Sequence, residues 1–228
     1  MIRPRLFRLF PFAGAVLLAG LASCQSAAAA HEAVRLPAPV VDAAPSTAHD
    51  EMAVFAGGCF WGIEAVFERV KGVHQVTAGY SGGTASTAHY DEVSDGDTGH
   101  AESVQVEFDP SRVSYGTLLQ VFFSVALNPT ELNRQGPDRG TQYRSVIFYG
   151  NDEQKKIATG YIAQLTAAHA FAAPIVTQVV PLTAFYPAEA YHQHYYDLHP
   201  HNPYIVINDA PKVAHLQRLF PELYQASL

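Results

Sequence analysis

The sequence predicts an α+β fold, a two-layer sandwich of a mixed sheet with flanking helices. Period-two and 3.6-period hydrophobic runs are interspersed along the chain. They follow no regular βαβ rhythm, and no GxGxxG loop is present, so no nucleotide site is expected. With 228 residues, 48% hydrophobic and 15% charged, the chain has material for one sizeable core, which excludes a disordered or collagen-like protein.

Arg3, Arg5 and Arg8 precede an apolar stretch from Leu9 to Ala22, the pattern of an export signal over residues 1–23 and shorter than a membrane span. Leu21-Ala22-Ser23-Cys24 resembles the lipobox of bacterial lipoproteins, in which the cysteine becomes the acylated N-terminus. Cys24 is therefore the expected lipid attachment point. With Gln25 and not aspartate after it, the destination by the same resemblance is the outer membrane facing the periplasm, or otherwise the soluble periplasm. Residues 24–50, rich in Ala and Pro and without periodicity, read as a flexible tether that does not pack and spans roughly 30 Å. Without its three signal arginines the chain keeps 11 basic against 21 acidic residues. That balance disfavours nucleic acid, and leaves membrane contact to the lipid alone.

The folded domain is expected over 51–228. Met52 to Ala56 is a short apolar strand that stops at Gly57-Gly58. From Cys59, Phe60, Ile63, Val66, Phe67 and Val70 recur at helical spacing until Gly72, so Cys59 stands at a helix N-terminus. Val73 to Tyr80 is a strand, and Ser81 to Gly99 a long loop of the kind that carries function. Glu102 to Phe108 alternates strictly, placing Glu102 on the buried face with Val104, Val106 and Phe108. Ser114 caps a helix through Ala126, Arg144 to Tyr149 is a strand, and Asp152 to His169 an amphipathic helix. Ile175 to Val180 is a further strand, Pro187 opens a helix running to Asp197, and Pro211 begins the last.

Beyond residue 24 there is a single cysteine, Cys59. The glycines before it leave room for a ligand, and the helix N-terminus favours a thiolate. A small buried apolar residue is the bland alternative. Phe60 and Trp61 supply aromatic walls for a small apolar group. Two rival chemistries are open: a cysteine hydrolase with His100 as base, and an exported metal-binding module using His192, His194, His199 and His201. A spacing of two between His192 and His194 on a helix weakens the second.

Gly58-Cys59-Phe60-Trp61-Gly62 resembles the signature of the A-type peptide-methionine sulfoxide reductases. Gly79-Tyr80-Ser81-Gly82-Gly83, Tyr90-Asp91-Glu92-Val93, Gly96-Asp97-Thr98-Gly99-His100-Ala101-Glu102 and Gly140-Thr141-Gln142-Tyr143-Arg144-Ser145 follow in the family's order, the likeness covering residues 52–207. The resemblance implies a ferredoxin-like sandwich and reduction of the S epimer of methionine sulfoxide, free or in proteins, for protein repair. It makes Cys59 the nucleophile that becomes a sulfenic acid, Glu102 the acid, and Tyr90 and Tyr143 the donors to the sulfoxide oxygen. Phe60 and Trp61 would hold the terminal methyl, and Asp138 would lie near the substrate backbone. Burial of Glu102 independently favours a protonated carboxyl near neutrality. No bound cofactor or metal is implied, and a monomer is expected. Many relatives carry resolving cysteines, yet residues 60–228 contain none, so the sulfenic acid must go to an external thiol or thioredoxin-like donor. Leu127-Asn128-Pro129-Thr130 also departs from the His-Asp-Pro-Thr of many relatives.

Overall fold

The computed structural model describes residues 33–44 and 50–228; the signal, Cys24 and part of the expected tether lie outside the described residues. In chain order the elements are β1 (Glu51–Ala56), α1 (Phe60–Phe67), β2 (Val73–Ser81), α2 (Tyr90–Ser94), β3 (Ala101–Phe108) and α3 (Tyr115–Val121). There follow β4 (Arg134–Gln135), β5 (Asp138–Arg139), β6 (Val146–Tyr149), α4 (Asp152–Ala167), β7 (Gln178–Pro181), β8 (Phe185–Pro187), α5 (Tyr195–Leu198) and α6 (Ala210–Leu219).

One mixed sheet runs β7-β6-β1-β3-β2-β8, parallel only between β6 and β7. Its centre, β6-β1-β3-β2, has α1 in the crossover between β1 and β2 and α3 between β3 and β6. This is the strand order and connectivity of a ferredoxin-like sandwich. Alternation in β1 explains the two faces: Phe55 enters the main core, while Val54 and Ala56 join a smaller cluster with Ala101, Val146 and Phe148. Phe55 stacks on Phe67 and Phe122, with ring centroids 5.2 and 5.1 Å away. Each such buried ring contributes roughly 1.5–3 kcal/mol. Ser114 caps α3 as its sequence predicts, accepting from the Thr117 N–H at 3.1 Å. The helix then widens into a π-turn over Phe122–Ala126. No helix among the described residues is long and apolar enough to cross a membrane.

Two expectations need correction. Residues 33–43 do not form an unpacked tether: Ala33 and Leu36 are buried, and the segment lies as a strap on the helical layer. Its backbone polar groups find side-chain partners: Ser124 Oγ accepts from the Leu36 N–H, Gln120 donates to the Leu36 carbonyl, and Tyr161 donates to the Pro37 carbonyl. Gln164 bonds Val40 and Ala38, while Asp42 accepts from the Gly116 N–H and the Ser114 hydroxyl. An extended strap held this way needs no hydrophobic period, so a periodicity argument misses it. Pro187 likewise does not open a helix. It ends β8, opposite Gly79 on the sheet edge where a missing N–H is tolerated. The chain then makes a 3₁₀ turn over Ala190–His192, and left-handed His194 (φ 53°) separates that turn from α5.

Candidate active site

The strand-to-helix turn after β1 fixes the position of Cys59. Gly58 takes φ 96°, and a Cβ there would come within 2.7 Å of Gln135 Cβ, so both backbone and space require glycine. Cys59 follows as the N-cap of α1, with its side chain making no capping bond. Cys59, Phe60, Trp61, Tyr90, Glu102, Asp138 and Tyr143 line one cavity of about 170 Å³, so all the domain's sequence-predicted site residues converge, and Tyr204 joins them.

Glu102 sits on β3 opposite Tyr80 of β2, 2% exposed, and its Oε2 accepts from the Phe60 N–H at 3.0 Å. Burial pushes its carboxyl up to about 8, opposed by the Phe60 N–H and by a hydrogen bond with the Cys59 thiol. A neutral acid beside the thiol is therefore the state near pH 7. The Cys59 thiol does not follow the helix-terminus expectation. Burial first, then Glu102 and Asp209, push it well above the ordinary thiol range, and the Trp61 N–H and Lys212 only partly offset them. Burial outweighs the local dipole, so Cys59 rests as a thiol.

The walls are aromatic and ordered by hydrogen bonds. Trp61 stacks on Tyr195, centroids 3.8 Å apart and planes 7° from parallel, and donates from Nε1 to His192 Nδ1 at 3.2 Å. Burial lowers the pKa of His192, and an imidazole that accepts at Nδ1 is neutral with its proton on Nε2. Tyr90 and Tyr143 have pKa values raised by burial and keep their phenolic protons for donation. Asp138, carried by the β4–β5 hairpin, accepts a hydrogen bond from the Tyr204 hydroxyl.

Sequence reasoning missed Tyr204 and Tyr195, which no local pattern marks. His192 was visible as a histidine but serves as a wall. The four histidines do not converge as ligands: His192 contacts Trp61, His199 packs on the Tyr195 ring at 4.0 Å, and His194 Nδ1 lies 2.5 Å from Glu68 Oε1. Glu64, Glu68 and His194 do come together. There the Glu68 hydrogen bond holds His194 toward its charged form, which leaves its Nδ1 no lone pair for a metal. His100, the hydrolase base, is buried with both ring nitrogens engaged, by the Gly83 N–H and the Thr84 carbonyl.

Comparison with known proteins agrees with this geometry. Residues 51–223 match the peptide methionine sulfoxide reductase family. Similar chains include the peptide methionine sulfoxide reductase MsrA 2 of Mesorhizobium japonicum, 60% identical over 76% of this chain and 89% of its own. The MsrA 2 of Synechocystis is 51% identical over 84% and 91%. Among solved structures, reduced Mxr1 of Saccharomyces cerevisiae superposes with a TM-score of 0.59 at 34% identity, covering 70% of this chain and 91% of that one. The methionine sulfoxide reductase A of Corynebacterium diphtheriae gives 0.58 at 32%, covering 76% and 87%. The chain belongs to the peptide methionine sulfoxide reductases, oxidoreductases that return methionine sulfoxide to methionine by cysteine chemistry.

Proposed function

We propose that the protein reduces the S epimer of methionine sulfoxide, free or within proteins, with Cys59 as nucleophile and Glu102 as acid. The observation that carries this reading is the buried Glu102 carboxyl, held by the Phe60 N–H and lining one aromatic cavity with Cys59, where burial raises its pKa and favours the protonated acid. The sulfoxide oxygen receives hydrogen bonds from Tyr90 and Tyr143, and its methyl lies against Phe60 and Trp61. Asp138 takes the substrate backbone. Glu102 gives its proton to the oxygen and recovers one from the thiol as the sulfur attacks. The S–O bond of the substrate breaks, methionine leaves, and Cys59 holds the oxygen as a sulfenic acid, so atoms and electrons balance without a further reactant.

Residues 60–228 contain no cysteine, so an external thiol condenses with the sulfenic acid, releasing water. A second thiol, or the partner thiol of a thioredoxin-like donor, frees Cys59. The basic and apolar pattern of residues 1–23 supports export, and Cys24 supports a lipid anchor on the periplasmic face of the outer membrane. With Ala33 buried on the domain, the nine residues from Cys24 reach at most roughly 32 Å. Fully extended, an unpacked tether of about 26 residues to residue 50 would reach roughly 94 Å, so the packed segment shortens the leash. The function there is repair of oxidised methionine in exported proteins.

The test is a single turnover of the reduced protein with each epimer and no reductant. About one equivalent each of methionine and trapped sulfenic acid, from the S epimer alone, is expected. Methionine from the R epimer, or none from either, refutes the reading.

A further inference from the structure

Asp209 stands at the N-cap of α6, where an aspartate ordinarily accepts from the helix's own N–H groups, yet its side chain makes no capping bond. It is fully buried, its Oδ2 has no hydrogen-bond partner, and its Oδ1 accepts from Lys212 Nζ at 3.1 Å. A π-turn over Ile205–Asp209 brings it there, a distortion found often at functional sites. The pair lies against the first turn of α1. A Cβ built on Gly62 would collide with Asp209 Oδ1 and lie 2.7 Å from Lys212 Nζ. Glycine at 62 is what lets a carboxylate and an ammonium reach the helix backbone one turn from Cys59.

We propose that Lys212, anchored by Asp209 over Gly62, is an electrostatic positioning residue for the Cys59 sulfur, supplying the positive charge that meets the sulfur as its proton leaves. This rests on the reading of Cys59 as nucleophile. The groups around the sulfur explain the need. Glu102 from β3, Asp138 from β5 and Asp209 before α6 are acidic, and Tyr90, Tyr143 and Tyr204 are phenols that Cys59 itself influences or that gather in the same cavity. Against them act the Trp61 N–H and the Lys212 ammonium. The Lys212 side chain is only 18% exposed, so solvent screens it weakly.

Residues three apart on a helix lie about 5–6 Å from each other. A unit charge set against Gly62 about one helical turn from the sulfur, partly offset by Asp209, moves the ionisation of the thiol by about one pH unit, or about tenfold in thiolate fraction. In the full protein, Lys212→Met is therefore expected to shift the pH profile of Cys59 alkylation by iodoacetamide upward by about one unit. Single-turnover methionine formation should slow about tenfold at a fixed pH below the transition, with substrate KM unchanged. Lys212→Arg should restore most of the shift. A folded Lys212→Met protein with an unmoved alkylation profile overturns the proposal, as does a uniform loss of rate at every pH. Should that variant not fold, Lys212→Gln, which keeps a polar group against Asp209 without the charge, must show a shift in the same direction, and an unmoved profile there also overturns it. Failure of the underlying reading is separate: it appears as methionine formation by Cys59→Ser.

Discussion

Glu102→Gln removes the dissociable proton from the cavity while keeping shape and an acceptor for the Phe60 N–H. With the acid gone, the chemical step should fall by roughly 10²–10⁴-fold while substrate binding changes little. Stability should move the other way. A carboxyl raised from 4.5 to about 8 in the folded chain holds a proton that the unfolded chain has released across that window. Stability is thus greatest below about pH 4.5 and declines as pH rises toward 8. At pH 7 the full loss is about 3 kcal/mol, an upper bound because Cys59 and Asp138 titrate with Glu102. A glutamine does not incur it. Urea unfolding of the two proteins between pH 4.5 and 8 is the assay, with single-turnover rates measured on the same samples. The variant should be slower and, at pH 7, more stable by about 1–3 kcal/mol, the gap closing toward pH 4.5. In the wild type the rate should fall as pH rises through about 8, and this limb should be missing from the variant. Equal stability across the range together with an unchanged rate would refute the protonated-acid argument.

Cys59→Ser should yield no methionine in any assay, because a hydroxyl cannot supply the two electrons; measurable turnover places the redox centre elsewhere. Leu36→Ala should destabilise the protein by about 2–5 kcal/mol in urea unfolding, since Leu36 is the strap's buried anchor at 6% exposed; a change below about 0.5 kcal/mol shows the strap to be peripheral. Cys24→Ser should move the protein from the membrane fraction to the soluble one without altering the turnover of the purified chain, and unchanged membrane retention counts against the lipid anchor. Peroxide should oxidise Cys59 slowly without substrate, as followed by loss of alkylatable thiol; a rate typical of low-pKa sensor thiols contradicts a resting thiol.

The features legible in the sequence are those that local forces decide. Strict alternation from Glu102 to Phe108 gives the strand and the burial of Glu102, and Ser114 gives the start of α3 because its partner is three residues on. Pro187 shows where such evidence ends. A proline suits the first turn of a helix and the edge of a sheet equally well. Pairing with Gly79, over a hundred residues earlier, chooses the edge. The strap fails for the same reason, since Leu36 is held by Ser124, 88 positions away. Within the site, the family motifs bring six residues to one cavity, to which the resemblance adds Asp138, but Tyr204, Tyr195 and His192 arrive through contacts spanning more than sixty residues.

The protonation state of Cys59 was the least legible feature, and it carries the most consequence. Its local setting, a helix N-cap after two glycines, argues for a thiolate, whereas the walls that bury it come from β3, the β4–β5 hairpin and the C-terminal segment. A standing thiolate would react with peroxide directly, and residues 60–228 offer no second cysteine to trap the product as a disulfide. Holding the sulfur as a thiol, beside an acid that is itself protonated, ties its activation to the arrival of a sulfoxide oxygen able to accept a proton. The same burial that slows adventitious oxidation therefore makes the chemistry depend on substrate, and a single-cysteine site has more need of that dependence than one with a resolving partner.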